Sequence, residues 1–206
     1  MKNNISNYTI ISSNEIRRVD DYSDMTILGS TRDDAAGEAI DKIARVIGLG
    51  YPGGPKMDKA GRNGDVNAFK FSHTHMKDSL DFSFSGIKTS ALNQLNEMKM
   101  RNSEINIADF AASYQYHIAN ELVRNTIKAV KESGINKVCL AGGVSANTFL
   151  RNLIDLEAKK NNFKVYYPDL KLCTDNAAMI ACAGYYEFIR GVRHGLDLNA
   201  VPSLSL

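Results

Sequence analysis

The chain has 206 residues, of which 44% are hydrophobic and 23% are charged, and its formal net charge is +2. This length suffices for one large domain or two small ones, and the near-neutral charge argues against a strongly basic nucleic-acid module. No apolar run approaches the ~20 residues that a membrane-spanning helix needs. The N-terminal residues lack the apolar core of a signal peptide, and the three cysteines form no C-x-x-C pair. We therefore expect a cytoplasmic globular protein with no membrane partner.

The first quarter of the chain predicts a β-hairpin and a helix. Residues 8–20 contain two β-rich runs around a Ser13-Asn14 turn, and a polar link over 20–32 follows them. The next helix is expected over 34–47, where six apolar residues share one face: Ala36, Ala39, Ile40, Ile43, Ala44 and Ile47. Asp33 and Asp34 are expected to stabilise its N-terminus, and Gly48 and Gly50 to end it.

The middle of the chain, residues 34–133, is expected to be mainly helical. A turn at 51–55 precedes an irregular polar stretch over 56–81, which indicates surface loops with short helical pieces. Residues 81–85 alternate at period two, as a strand does, and helices are expected over 87–99 and 107–133.

The last third of the chain, residues 136–191, predicts a β-α-β-α unit suited to nucleotide binding. Strands are expected over 137–141 and 163–167, and helices over 145–161 and 175–190. Alternating strands and helices of this kind favour an α/β sheet. The small and apolar residues from Ala177 to Ala183 predict a buried helix packed on that sheet.

Two candidate sites lie near the first helix. Asp34, Glu38, Asp41 and Arg45 share one helix face, where a carboxylate can accept both hydroxyls of a ribose. The alternative is a solvated face supported by an Asp41–Arg45 pair. The two glycines of the Y-P-G-G-P turn, with Asp58 three residues on, would let backbone amides approach a ligand closely, or would simply make a turn.

Two further candidates open the last two predicted helices. The segment L-A-G-G-V-S-A-N places two glycines after a strand, with Ser145 as the expected N-cap and Asn147 in the first turn, which suits an anion or nucleotide. Asp175 is either an N-cap or a metal ligand. His73 and His75 are interpreted as surface histidines in a polar loop.

Five motifs, taken together in chain order, resemble one protein family: D-D-A-A-G-E-A-I-D-K, Y-P-G-G-P, L-D-F-S-F-S-G-I-K-T, A-G-G-V-S-A-N and C-T-D-N-A-A-M-I-A. The sequence is similar to the tRNA threonylcarbamoyladenosine transferases, the bacterial TsaD and archaeal or eukaryotic Kae1 group, formerly called O-sialoglycoprotein endopeptidases. The resemblance runs from about Thr9 to the end of the chain. It implies an α/β fold, an actin/Hsp70-like (ASKHA) lobe whose mixed sheet is flanked by helices.

The resemblance also implies an activity and a set of site residues. The family transfers threonylcarbamoyl from threonylcarbamoyl-adenylate to the tRNA adenosine next to the anticodon. Asp41, Gly54, Asp58 and Asn147 would contact this adenylate or an adenine nucleotide, and Asp175 would bind one metal ion, iron or zinc. Ser85 and Lys88 lie in a matched motif without an assigned role.

The sequence departs from the family pattern in two places, and both bear on whether the chain is active by itself. No H-x-x-x-H metal-binding pair occurs, and residues 5–9 lack the glycines and histidine of the family's S-G-G-H-T loop. We therefore expect residues 1–206 to be the C-terminal lobe alone, with the N-terminal lobe missing, and to be inactive by itself. Such a lobe would need a separate N-terminal lobe or TsaB/TsaE-like or Kae1-complex-like partners, and would meet tRNA through a complex. The alternative is an inactive truncated paralogue that acts as a nucleotide-binding or protein-interaction module.

Overall fold

The described part of the chain, residues 8–22, 24–72, 76 and 78–199 of a computed structural model, forms a five-stranded mixed sheet. The strands lie in the order β3-β2-β1-β4-β5. Their bounds are β1 Tyr8–Ile11, β2 Glu15–Asp21, β3 Asp24–Ser30, β4 Lys137–Leu140 and β5 Lys164–Tyr166. The first three strands pair antiparallel, whereas β4 runs parallel to both β1 and β5.

The predicted hairpin is confirmed, but the polar link after it is wrong because residues 24–30 form β3. This strand lies at the edge of the sheet and most of its side chains are exposed, Met25 and Ile27 among them. An edge strand whose side chains are mostly exposed does not need an apolar alternation. The sequence therefore carries no strong signal for it.

Six α-helices pack around or beside the sheet within the described residues: α1 Ala36–Val46, α2 Gly53–Gly61, α3 Ser85–Met100, α4 Ile107–Ser133, α5 Thr148–Asn161 and α6 Ala177–Ile189. Single 3₁₀ turns lie at Gly143–Ala146 and Leu170–Leu172. The helix α2 lies where mostly loop was expected. The expected strand at 81–85 is reduced to one bridge between Phe82 and Thr31, and Phe82 and Phe84 are buried in the core instead.

The helix α4 organises the core and matches its predicted bounds. The side chain of Asn106 accepts hydrogen bonds from two backbone amides at its start, and Gly134, with φ of 70°, ends it. Phe110, Tyr114 and Leu122 of this helix are fully buried. They belong to one apolar cluster with residues on one face of the sheet, Ile11, Ile16, Val138 and Leu140 among them.

The predictions that Ser145 and Asp175 begin the last two helices are wrong. Asn147 caps α5 by accepting from the Leu150 amide, and Asn176 caps α6 by accepting from the Met179 amide. Ser145 lies in the 3₁₀ turn, where its hydroxyl donates to the carbonyl of Gly142 at 2.7 Å. The last strand-to-helix connections are therefore longer than predicted.

The prediction that α6 is buried is also wrong, since none of its residues is buried. Four of its large apolar side chains are more than half exposed: Ile180, Tyr185, Phe188 and Ile189. The helix is held to the β2–β3 turn by Tyr186, whose hydroxyl forms a hydrogen bond of 2.5 Å with that of Tyr22 while the rings stack. This hydrogen bond raises the pKa of Tyr22 to about 12.

The mixed sheet flanked by helices agrees with the expected actin/Hsp70-like lobe. Three antiparallel strands followed by two parallel strands, each preceded by a helical crossover, build one layered unit. None of the helices in the described ranges combines the length and apolar character needed to cross a membrane.

Candidate functional site

The candidate residues lie on the loops that follow β4 and β5 and on the helices α1 and α2. Residues 141–147 follow β4, and residues 167–176 follow β5. The turn after β1 also meets this edge, because the carbonyl of Ser13 accepts from the Ala36 amide at the start of α1. In open α/β sheets, ligands bind in the crevice outside this edge.

Asp41 of α1 contacts the start of α2. Its Oδ1 atom accepts from the backbone amides of Gly53 at 2.7 Å and Gly54 at 3.2 Å. The residue before α2, Pro52, has no side chain that can cap the helix, so Asp41 supplies the missing acceptor. The structure therefore brings Asp41 and Gly54 together, while the expected alternative partner, Arg45, lies over the ring of Tyr51.

The two glycines that open α2 have different surroundings. A Cβ atom on Gly53 would lie 2.7 Å from the Cα of Asp41 and from the Cβ of Ala44, so Gly53 permits α1 and α2 to approach closely. A Cβ on Gly54 would meet nothing within 4 Å. The backbone at Gly54 is thus open to a ligand.

Asp58, one helical turn beyond Gly54, is buried and holds the start of α5. Its Oδ1 atom accepts from the Thr148 amide at 2.9 Å and from the Thr148 hydroxyl. Its Oδ2 atom lies 3.9 Å from the guanidinium of Arg62. A cavity of about 330 Å³ lies beside this contact, lined by Arg62, Thr148, Phe149 and Asn152.

Asn147 uses both ends of its amide. Its Oδ1 accepts from the Leu150 amide at 2.9 Å, and its Nδ2 donates to Gln115 Oε1 at 2.8 Å. Gln115 is buried in α4 and in turn donates to the carbonyls of Met57 and Ala111. The polar contacts therefore run without a break from α2 through α4 to α5.

Gln115 is the residue of this network that sequence reasoning missed. It lies between Tyr114 and Tyr116 on a largely apolar helix, where an amide needs a buried partner. That pattern was the available signal, but its partner Asn147 lies 32 residues away in the sequence.

The glycine turn after β4 is also open. Gly142 has φ of 70°, which favours glycine, and a Cβ atom on either Gly142 or Gly143 would meet nothing within 4 Å. Exposed backbone at the end of a parallel strand agrees with the predicted ligand-binding turn.

Asp175 lies at the same edge of the sheet, on the loop that follows β5. It is exposed and follows the buried Cys173 by two residues. Within the described ranges, no hydrogen bond or ion pair joins Asp175 to Asp41, Gly54, Asp58 or Asn147. The structure thus assembles four of the five candidates and leaves the fifth on a neighbouring loop.

The described residues do not form a metal centre by themselves. Across the described residues, no group of three or more His, Cys, Asp or Glu side chains could hold an ion. Asp175 alone falls short of the three or more protein ligands that transition-metal sites use. His73 and His75, interpreted as surface histidines, lie outside the described residues.

The acidic start of α1 has a different role from the predicted one. Asp33 accepts from the amides of Phe84 and Ser85 at the start of α3, while the N-cap of α1 is Ala35, without a side-chain bond. Although burial opposes it, hydrogen bonds from Ser83 and these amides lower the pKa of Asp33. Ser85 therefore contributes its backbone to a cap.

Lys88 joins α3 to α1. Its ammonium group binds Asp34 Oδ2, and Lys42 binds Asp34 Oδ1 at 2.7 Å. The bonds from Lys42 and Lys88 lower the pKa of Asp34. Asp34 and Glu38 raise the pKa of Lys42 to about 12. A cavity of about 550 Å³ runs along α3 and includes Ser85, but none of the five candidates lines it.

Comparison with known sequences identifies the family. The model of the family described as "TsaD: tRNA N6-adenosine threonylcarbamoyltransferase" matches residues 13–182. The tRNA N6-adenosine threonylcarbamoyltransferase of Clostridium botulinum (strain 657 / Type Ba4) is 54% identical over 187 residues, that of Clostridium novyi 54% over 188, and that of Clostridium kluyveri 52% over 188. Each match covers 90% of this chain and 55% of the relative, so the chain spans about half the length of these relatives.

Comparison with solved structures agrees on the fold. Full-length HypF aligns with a TM-score of 0.63 and 14% identity, over 88% of this chain and 33% of that protein. HypF from T. kodakarensis aligns with a TM-score of 0.54 and 18% identity, over 82% of this chain and 21% of that protein. Since the family model covers most of the chain and half of the aligned residues are identical in its relatives, this chain belongs to the tRNA N6-adenosine threonylcarbamoyltransferase (TsaD) family.

Proposed function

We propose that this chain supplies the substrate-binding lobe of a tRNA N6-adenosine threonylcarbamoyltransferase. In the reaction, the exocyclic amine of the tRNA adenosine attacks the carbonyl carbon of threonylcarbamoyl-adenylate. The new C–N bond replaces the C–O bond to the phosphate, the amine loses a proton, and AMP leaves. The supporting observation is the connected set Asp41, Gly54, Asp58 and Asn147, which borders backbone with no side chain above it.

The set suits an adenylate because it offers several kinds of contact. Asp41 uses Oδ1 for the α2 amides, which leaves Oδ2 to accept from a ribose hydroxyl. The backbone at Gly54 and at the Gly142-Gly143 turn allows a flat base or a phosphate to come close. Asp58 holds the start of α5 against α2, and Asn147 bonds Gln115 of α4, so this part of the proposed site is ordered before the ligand arrives.

The metal and the partners belong to this proposal as well. Asp175 would provide one ligand to iron or zinc, with the remaining ligands outside the described residues. Such an ion would polarise the carbonyl of the acyl group when bound. The exposed apolar side of α6 would be covered by a separate N-terminal lobe or by TsaB/TsaE-like or Kae1-complex-like proteins, and tRNA would bind to that assembly.

Gly54→Ala tests the nucleotide site without removing a contact. The new Cβ meets open space in the free chain, and alanine is favoured over glycine in a helix, so the stability should not fall. If AMP lies against this backbone, calorimetry should show an affinity about tenfold weaker than that of the wild type.

Gly37→Ala is the matched control, because Gly37 also lies in a helix with nothing within 4 Å of an added Cβ. This variant should bind AMP as the wild type does. An unchanged affinity in Gly54→Ala, or no AMP binding by the wild type, would contradict the proposed site.

A further inference from the structure

Two loops at the carboxyl edge of the sheet carry different parts of the proposed site. Residues 142–147 contain the open glycine turn and Asn147, whereas residues 167–176 follow β5 and lead to Asp175. The two loops follow the neighbouring parallel strands β4 and β5, so a residue that contacts both loops can hold them together.

Arg151 makes those contacts from the first turn of α5. Its Nε donates to the carbonyl of Ser145 at 2.5 Å, inside the glycine turn. Its NH2 group donates to the carbonyl of Pro168 at 3.1 Å and lies 3.7 Å from the Sγ of Cys173. One planar guanidinium thus bridges both loops and the helix between them.

The aromatic ring of Tyr167 holds this guanidinium from one side. The Arg151 Cζ lies 4.9 Å from the ring centroid, a distance typical of a cation–π contact. The Tyr167 hydroxyl donates to Asp155, one turn along α5 from Arg151, which fixes the ring in place. Burial and this hydrogen bond raise the pKa of Tyr167, so the phenol stays a donor at neutral pH.

Arg151 contacts two carbonyl oxygens, a sulfur and a ring, all of them uncharged. An arginine kept mainly for an ion pair would face a carboxylate. Here two separate nitrogens of the guanidinium reach the two backbone segments, a span that the donors on the single nitrogen of a lysine cover less well.

We propose that Arg151 is a positioning residue that couples the glycine turn carrying Asn147 to the loop leading to Asp175. This inference rests on the proposed function, because it concerns how the two parts of that site are kept in register. A nucleotide that orders the glycine turn then also orders residues 168–176 through the guanidinium.

Hydrogen exchange of the full chain without ligand tests the first half of the proposal. The amides of Leu172 and Cys173 donate to local carbonyls in the 3₁₀ turn and report whether this loop stays closed. Their exchange should be about tenfold faster in Arg151→Met than in the wild type, and intermediate in Arg151→Lys. Arg190→Met, which removes an arginine paired with exposed Glu187 on α6, should leave it unchanged.

Addition of AMP tests the coupling. In the wild type, AMP should slow exchange in α2, next to the proposed site, and at Leu172 and Cys173. In Arg151→Met the slowing in α2 should remain, while the slowing at Leu172 and Cys173 should be lost. A residue that only stabilises the fold would change both regions alike. If Arg151→Met does not fold, Arg151→Lys should show the same separation to a smaller degree.

Several results would count against this inference. Unchanged exchange of Leu172 and Cys173 in Arg151→Met without ligand would show that Arg151 does not hold the loop. AMP-dependent slowing at these amides that survives in Arg151→Met would remove the coupling. If AMP slows nothing in α2 of the wild type, the proposed function is wrong, and the ligand-free comparison still decides whether Arg151 joins the loops.

Discussion

Asp34, which precedes α1, connects α1 to α3 through two ammonium groups. It accepts from Lys42 on α1 and from Lys88 on α3, and its side chain is only 16% exposed. Because these bonds favour the ionised form, the pKa of Asp34 lies below its ordinary value of 3.8. Lys88 thus has a structural role in joining α1 to α3.

Asp34→Asn should destabilise the fold at neutral pH and much less in acid. The lowered pKa means that the stabilisation is present above pH 3.8 and is lost as the pH falls through the folded-state value. We expect a loss of about 1–3 kcal/mol in the free energy of unfolding at pH 7. Urea titrations of wild type and variant between pH 7 and pH 3 should show this difference shrinking.

Glu38→Gln is the control for the loss of a charge near Lys42. Glu38 is more than half exposed, and exposed i,i+4 pairs contribute little. Its effect should stay small at every pH. A difference between Asp34→Asn and wild type that does not narrow in acid would show that Asp34 is not held ionised by its neighbours.

At the scale of single residues, the candidate residues can be selected from the sequence, but their hydrogen-bond partners cannot. Motifs in the sequence identify Asp41 and Asn147 as candidates, yet Asp41 bonds an amide 12 residues away and Asn147 a side chain 32 residues away. The local sequence pattern does not determine such contacts, because they depend on how the helices pack against one another. For the same reason, Asp33 is expected from the sequence to stabilise the N-terminus of α1, whereas in the structure it accepts from an amide at the start of α3.

The close contact between α1 and α2 depends on Gly53 having no side chain. Gly53 is buried with the Cα of Asp41 and the Cβ of Ala44 directly above it. Neither neighbour is the flexible end of a long side chain, so neither can move aside cheaply. Asp41 can cap α2 only because the two helices approach this closely.

Gly53→Ala should therefore separate the helices and weaken the cap of α2. Overpacking of this kind costs about 1–3 kcal/mol, which exceeds the benefit of alanine in a helix. Thermal unfolding followed by circular dichroism should show a lower Tm for Gly53→Ala. Gly54→Ala, one residue on, should have an equal or higher Tm, and equal losses in the two variants would contradict the close approach.

Elements with strong periodicity were predictable, and elements defined by tertiary contact were not. The bounds of α4 follow from its apolar face, the cap at Asn106 and the stop at Gly134. The edge strand β3 and the short helix α2 lack such a pattern, because one is mostly exposed and the other is held by Asp41 and by Gln115. Sequence alone therefore predicted the helix that carries Asp41 and the one that follows Asn147, but missed α2, which joins the candidate residues.

At the scale of the whole molecule, the main feature is α6, whose large apolar side chains are exposed to solvent. Its sequence is that of a buried helix, yet Ile180 is 66% exposed and Phe188 59%. Contiguous exposed apolar surface of this kind marks a surface for association. The chain spans 55% of the length of its Clostridium botulinum relative, so the remainder of such a relative is a natural candidate to cover it.

We expect α6 to mediate association with that remainder. When the part of the Clostridium botulinum relative that this chain does not match is added, sedimentation should show a 1:1 complex. The doubly substituted variant Ile180→Gln, Phe188→Gln should bind it at least about tenfold more weakly, because the buried apolar area is lost. Leu156→Gln, which changes an exposed leucine on α5, should bind as the wild type does.

The same mixture should transfer threonylcarbamoyl to tRNA when the chain by itself does not. If the α6 variant binds as tightly as the wild type, α6 is not the surface that the partner covers. If the wild type stays monomeric in the mixture, the proposed division of the site between two lobes loses its support.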